Sequence, residues 1–119
     1  MSFRWPSKDP DETLDYSVDW SRFLDTATIN SVIWFVKSNT YNVKTRLNAG
    51  ETLTFASSNA VTDTIQNVSQ TNTNTVATIN ISGGSNNVEY TFFCQMTDDT
   101  GSTAERSIKL RLKERKYGL

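Results

Sequence analysis

Five carboxylates, Asp9, Asp11, Glu12, Asp15 and Asp19, fall within eleven positions of this 119-residue chain. Hard oxygen ligands at that density could hold calcium. The spacing completes no loop, however. An EF-hand needs oxygen ligands at alternate positions, a central glycine and a distal bidentate glutamate, and this stretch lacks the glycine. Solvation or an interface accounts for the cluster better. A glycosidase needs two carboxylates about 5 to 10 Å apart across a cleft, whereas the acids here fall in turns, as Asp98 and Asp99 do, or at strand positions expected to face water. Nucleophilic catalysis by serine or by the single cysteine, Cys94, requires an activating base. The chain has no histidine, which removes the commonest general base and zinc ligand and leaves lysine alone for that task. We expect no enzymatic activity, no metal and no cofactor.

The basic residues are segregated. Arg106, Lys109, Arg111, Lys113, Arg115 and Lys116 make up half of the 12 lysines and arginines, although the formal net charge is only -1. A basic stripe can hold phosphates, but no aromatic residues interleave with it on the face expected to carry Arg106, Lys109, Arg111 and Lys113. Docking of the acidic N-terminal segment on this basic strand, within or between subunits, explains the segregation better than nucleic acid does. Neither a nucleic-acid nor a membrane partner is expected. The longest apolar run, Val32-Ile33-Trp34-Phe35-Val36, is far shorter than the roughly 18 residues of a membrane span. The start, Met1-Ser2-Phe3-Arg4-Trp5-Pro6, has no apolar signal-peptide core.

The elements that position these residues read as strands. Ser, Thr and Asn make up roughly a third of the chain while Leu and Ala are sparse, a composition that favours β structure with wet surfaces. Tyr16, Val18 and Trp20 alternate with Ser17 and Asp19 at period two, as in a half-buried strand. A short turn is expected over 22–25. Ile29 to Val36, β-branched and aromatic, reads as a strand buried on both faces, and Thr52-Leu53-Thr54-Phe55 as a short strand closed by a Ser57-Ser58-Asn59 turn. Val61, Ile65 and Val68, then Val76, Ala77, Ile79 and Ile81, supply inward positions for two strands joined by a polar loop. After the Ser82-Gly83-Gly84-Ser85-Asn86-Asn87 turn signal, Tyr90, Phe92, Cys94 and Met96 alternate along one arm of a hairpin, and Ile108, Leu110 and Leu112 along the other.

About seven short strands in roughly 100 residues predict an all-β, immunoglobulin-like antiparallel sandwich. With one cysteine there is no inter-sheet disulfide; Trp20 or Trp34 would fill that space, Tyr90 would form a tyrosine corner, and Cys94 would pack as an inert apolar group. The expected organisation is an extended N-terminal arm over 1–14, the sandwich over 15–113 and a C-terminal tail over 114–119. Phe3 and Trp5, on an arm that also holds Pro6 and Pro10, are costly to leave in water. The arm should therefore lie on something, and a neighbouring subunit is the expected surface.

The block from Trp5 to Trp20, with Lys8-Asp9-Pro10-Asp11-Glu12, Leu14-Asp15-Tyr16 and Asp19-Trp20, resembles the N-terminal block of small tailed-bacteriophage virion proteins of the fibre-tail adaptor type. A second block resembles that family's C-terminal hairpin: Ile81-Ser82-Gly83-Gly84, then 90–97, then Arg106-Ser107-Ile108-Lys109-Leu110-Arg111-Leu112 and Glu114-Arg115. The middle, about 40–78, shows no matching pattern. The resemblance implies a non-enzymatic immunoglobulin-like module of the virion tail, joining the tail tube or hub to a fibre in several copies and made in the host cytoplasm. Its partners would be other virion proteins. The interface is expected at Phe3, Arg4, Trp5, Pro6, Lys8, Asp9, Pro10, Asp11, Asp15 and Tyr16. A head or neck decoration protein is the structural alternative; a carbohydrate-binding sandwich with Trp5 or Tyr41 as stacking platform is the alternative from another class.

Overall fold

Nine strands form among the residues described by the computed structural model, 3–55 and 61–114, the longer of them on an alternation of apolar and polar side chains. These are β1 (Phe3–Arg4), β2 (Leu14–Asp19), β3 (Ile29–Ser38), β4 (Thr45–Arg46), β5 (Thr52–Phe55), β6 (Val61–Asn72), β7 (Val76–Ser82), β8 (Glu89–Asp98) and β9 (Thr103–Arg111), with one helical turn, α1 (Ser21–Leu24), after β2. The two strands beyond the expected seven are the two-residue β1 and β4, too short to show a period in sequence. The Ser57-Ser58-Asn59 turn and the residues after Glu114 lie outside the described residues.

One sheet runs β1-β9-β8-β3-β4 and the other β2-β7-β6-β5. The β2-β7-β6 and β3-β8-β9 neighbours reproduce the B-E-D and C-F-G pairing of immunoglobulin-like sandwiches. Every named pairing is antiparallel except β1 on β9. The inward rows meet as the pattern demands: Tyr16 and Val18 on β2, Trp34 and Val36 on β3, Ala77, Ile79 and Ile81 on β7, Tyr90, Phe92, Cys94 and Met96 on β8, and Ile108 and Leu110 on β9 are all buried. Trp34, on the strand that carries the buried tryptophan of immunoglobulin domains, meets Phe92 edge-on at 6.5 Å, two residues after Tyr90, where those domains place the second half of the inter-sheet cystine. The Tyr90 hydroxyl accepts from the Ser85 amide at 3.0 Å and donates to Asp63 at 2.8 Å, which is the tyrosine corner.

Three expectations change. β3 is buried on one face only; on the other, Ile33 and Phe35 are half-buried, and the Lys44 ammonium lies 4.9 Å from the Phe35 ring centre and 4.7 Å from that of Phe93. Val68 points outward at 42% exposed, because Asn67, not Val68, continues the inward alternation of Ile65. Asn67 is buried in its place and its amide donates to the Leu47 carbonyl at 3.2 Å, and only beyond it does the β6–β7 register shift, between Asn67 and Ser69. Arg106, expected on the outer face with Lys109, shares the parity of Ile108 and turns toward the opening between the sheets.

Candidate interaction surface

The N-terminal segment lies along its own chain. Phe3 and Arg4 pair in parallel with Ile108 and Lys109, the Trp5 amide donates to the Lys109 carbonyl at 2.9 Å, and Lys8 bridges to Leu112. Burying Trp5 is the physical reason. Its ring stacks on Tyr16 at 4.8 Å and tilts against Phe92 at 5.4 Å and Trp34 at 5.9 Å, so this arm closes the side of the core that β9 and β2 leave open. Its Nε1 donates to the Ser17 carbonyl at 3.1 Å. With its faces so engaged, Trp5 offers no platform for a sugar. Tyr41 stacks one face on Phe55 at 5.5 Å.

Lys8 anchors the segment's other end. It is fully buried, and its ammonium donates to the carbonyls of Gly83 at 2.7 Å and Asp9 at 2.9 Å. Burial pulls its pKa below the ordinary lysine value, against the opposing pull of Glu12, Asp9 and Asp11. The chain then reverses in a self-capped turn: the Asp9 carboxylate accepts from the Asp11 amide at 2.8 Å, and Glu12 accepts from the Asp9 amide at 2.9 Å. Asp9 and Glu12 are thus folded into backbone caps. Among the described residues no group of three or more carboxylate or thiol side chains converges on a point that could hold a metal ion.

The ten residues expected at the interface therefore divide. Lys8, Asp9 and Tyr16 are buried in their own chain and Trp5 is half-buried, whereas Phe3, Arg4, Pro6, Asp11 and Asp15 face solvent and Pro10 is partly exposed. Arg4 is held by Glu89 at 2.8 Å; that bond, helped by nearby Lys109, keeps the Glu89 carboxyl below the usual range.

Between β1 and β2, the edge strands on this side of the sandwich, opens a groove of about 270 Å³ lined by Phe3, Arg4, Trp5, Val18, Asp19 and Arg106, among others. Arg106 bridges it. Its Nη1 donates to the Asp19 carbonyl at 3.0 Å, and its guanidinium carbon lies 4.6 Å from the Trp20 ring centre and 5.7 Å from that of Phe3. The Ser21 amide, bonded to the Asp19 carboxylate at 2.9 Å, holds that carboxyl's pKa low, and the Arg106 and Arg22 charges help. Phe23 meets Trp20 edge-on at 5.8 Å. Sequence reasoning named Arg106 only in the basic stripe of the outer face and missed Phe23; the parity Arg106 shares with Ile108 was the available signal for its true place.

The model of a protein family, the podophage GP4 fiber-tail adaptor protein gp77, matches residues 8–44 and 38–111. The chain belongs to this family. No curated protein matches it. Membership of the fibre-tail adaptors makes it a structural protein of the phage virion and places it at the tail among tail and fibre proteins. The matched range includes the 40–78 stretch in which sequence reading found no pattern, and it takes in the groove wall formed by Val18, Asp19 and Arg106; Phe3, Arg4 and Trp5 precede it. No helix among the described residues is long and apolar enough to cross a membrane.

Proposed function

We propose that this chain acts as a non-enzymatic joint between the phage tail, at its tube or hub, and a fibre, in several copies per particle, and that it docks through the exposed part of the N-terminal segment. The observation that carries this reading is the division within that segment. Trp5 and Lys8 clamp it to the sandwich while Phe3, beside them, is left 50% exposed at the mouth of a groove. A rigid frame that holds an aromatic side chain in water is poised for a partner, because the ordering cost has been met within the fold. Asp11 and Asp15 extend the same surface with negative charge, and Pro6 and Pro10 stiffen it. Synthesis in the host cytoplasm suits a domain whose lone cysteine is buried and whose core closes without a disulfide.

The test uses variants that leave the clamp alone. Phe3→Ser and Asp11→Lys should keep the wild-type circular dichroism spectrum and melting temperature, yet lower the number of copies of this chain in purified particles. Wild-type incorporation of both would refute docking through this segment.

A further inference from the structure

The groove between β1 and β2 combines exposed aromatic surface with an excess of positive charge. Phe3 and Phe23 are 50% and 46% exposed and are linked by a chain of contacts, Phe3 to Arg106, Arg106 to Trp20 and Trp20 edge-on to Phe23. Aromatic and arginine side chains left together in water have the composition of the energetic centre of a protein interface. A volume of about 270 Å³ falls below the range of drug-sized ligand sites and suits a side chain inserted from a partner. Strand addition along β2 is disfavoured, because Trp5 Nε1 and Arg106 Nη1 already occupy the outward carbonyls of Ser17 and Asp19. What the groove can take is therefore an anchor side chain with charge around it.

That charge is set by Arg4, Arg22 and Arg106. Glu89 faces both Arg4 and Lys109, and Asp19, which keeps its charge, faces Arg106 and Arg22; two carboxylates against these four cations leave the rim net positive, so it favours an incoming anion. We infer that the groove receives an aromatic or aliphatic side chain from an acidic segment of a neighbouring virion protein, whose carboxylates flank that anchor and meet Arg106 and Arg22. This rests on the adaptor reading and adds the chemistry of the partner. A second copy of the chain is a poor donor: in its N-terminal acidic run only Asp11 and Asp15 face solvent, because Asp9 and Glu12 are engaged by backbone amides, and Asp98 is consumed in its own turn by Thr100 and Ser102.

The experiment places a photo-cross-linking p-benzoylphenylalanine at position 23 of the full chain during infection, followed by irradiation of purified particles and sequencing of the cross-linked peptide. The expected product is a tail or fibre protein segment rich in Asp and Glu around an apolar residue. In parallel, Arg22→Glu should reduce incorporation about tenfold at physiological salt through lost electrostatic attraction. A cross-link to a second copy or to a basic segment, or no cross-link in particles that carry the protein normally, overturns the inference while leaving the adaptor reading intact. Absence of the wild-type chain from purified tails would instead refute the adaptor reading itself, and the inference with it.

Discussion

Replacing Trp5 by alanine tests whether the N-terminal segment belongs to the fold. The indole packs on Tyr16, Phe92 and Trp34 with centroid separations from 4.8 to 5.9 Å and donates one hydrogen bond of 3.1 Å to Ser17. Truncating a fully buried tryptophan costs about 3 to 5 kcal/mol. Trp5 keeps part of its surface in water, so about 2 to 4 kcal/mol is expected, of which the hydrogen bond supplies about 1. Trp5→Phe retains the stacking and should lose only about that 1 kcal/mol. Urea unfolding followed by far-ultraviolet circular dichroism reads the difference without relying on tryptophan emission. At a slope of roughly 1 to 2 kcal/mol per molar, the alanine midpoint should fall by about 2 M. A loss below about 1 kcal/mol for Trp5→Ala would mean that the segment is not docked in solution, and the account of the groove would fall with it.

Three further outcomes follow from the core. Burial pushes the Cys94 thiol up to about 11 from its ordinary 9.0. The unfolded chain therefore releases that proton first, and stability present below pH 9 is lost as pH approaches about 11, by about 2 to 3 kcal/mol, a decline that Cys94→Ala should remove in pH-dependent urea titrations. Tyr90, also raised by burial, adds to the alkaline loss, whereas Lys8, whose pKa is lowered, opposes it, so the wild-type minus Cys94→Ala difference is the quantity to plot. Gly83→Ala should prevent folding or cost more than about 3 kcal/mol: Gly83 has φ +71°, and a Cβ there would collide with the Thr64 carbonyl. A soluble variant with an unchanged midpoint would contradict that geometry. Trp20→Ala should cost about 3 to 5 kcal/mol in thermal or urea unfolding, since the ring is buried beneath the Arg106 guanidinium; a change below about 1 would place it outside the core.

Much of the sandwich was legible because its strands keep strict alternation. Tyr90, Phe92, Cys94 and Met96 on β8 and Ile108 and Leu110 on β9 bury as a period of two requires, and the position of Tyr90 at the start of β8 was enough to anticipate its corner hydrogen bond to Ser85. Val68 was assigned to the wrong face because apolar character was followed instead of parity: the polar Asn67 continues the inward row of Ile65, just before the register shift between Asn67 and Ser69. The two-residue strands β1 and β4 carry no period at all. The fate of the N-terminal segment was illegible for a different reason. The composition of Phe3, Trp5 and the two prolines says that the segment must be covered, but whether its own core or a neighbour covers it depends on the side opening left between β9 and β2, a property of the assembled sheets. Arg106 shows the converse case. Its parity was readable, but charge alone argued for water, and only the rings of Trp20 and Phe3 explain why it turns inward.

The central claim is that this sandwich joins tail and fibre through the surface around the β1–β2 groove. A cryo-EM map of the intact particle tests it most directly. The account predicts immunoglobulin-like density at the tail–fibre junction, with Trp5 packed in its own core and a neighbouring protein seated over Phe3, Phe23 and Arg106. Density for the chain on the capsid, or at the junction with that groove open to solvent, would contradict it.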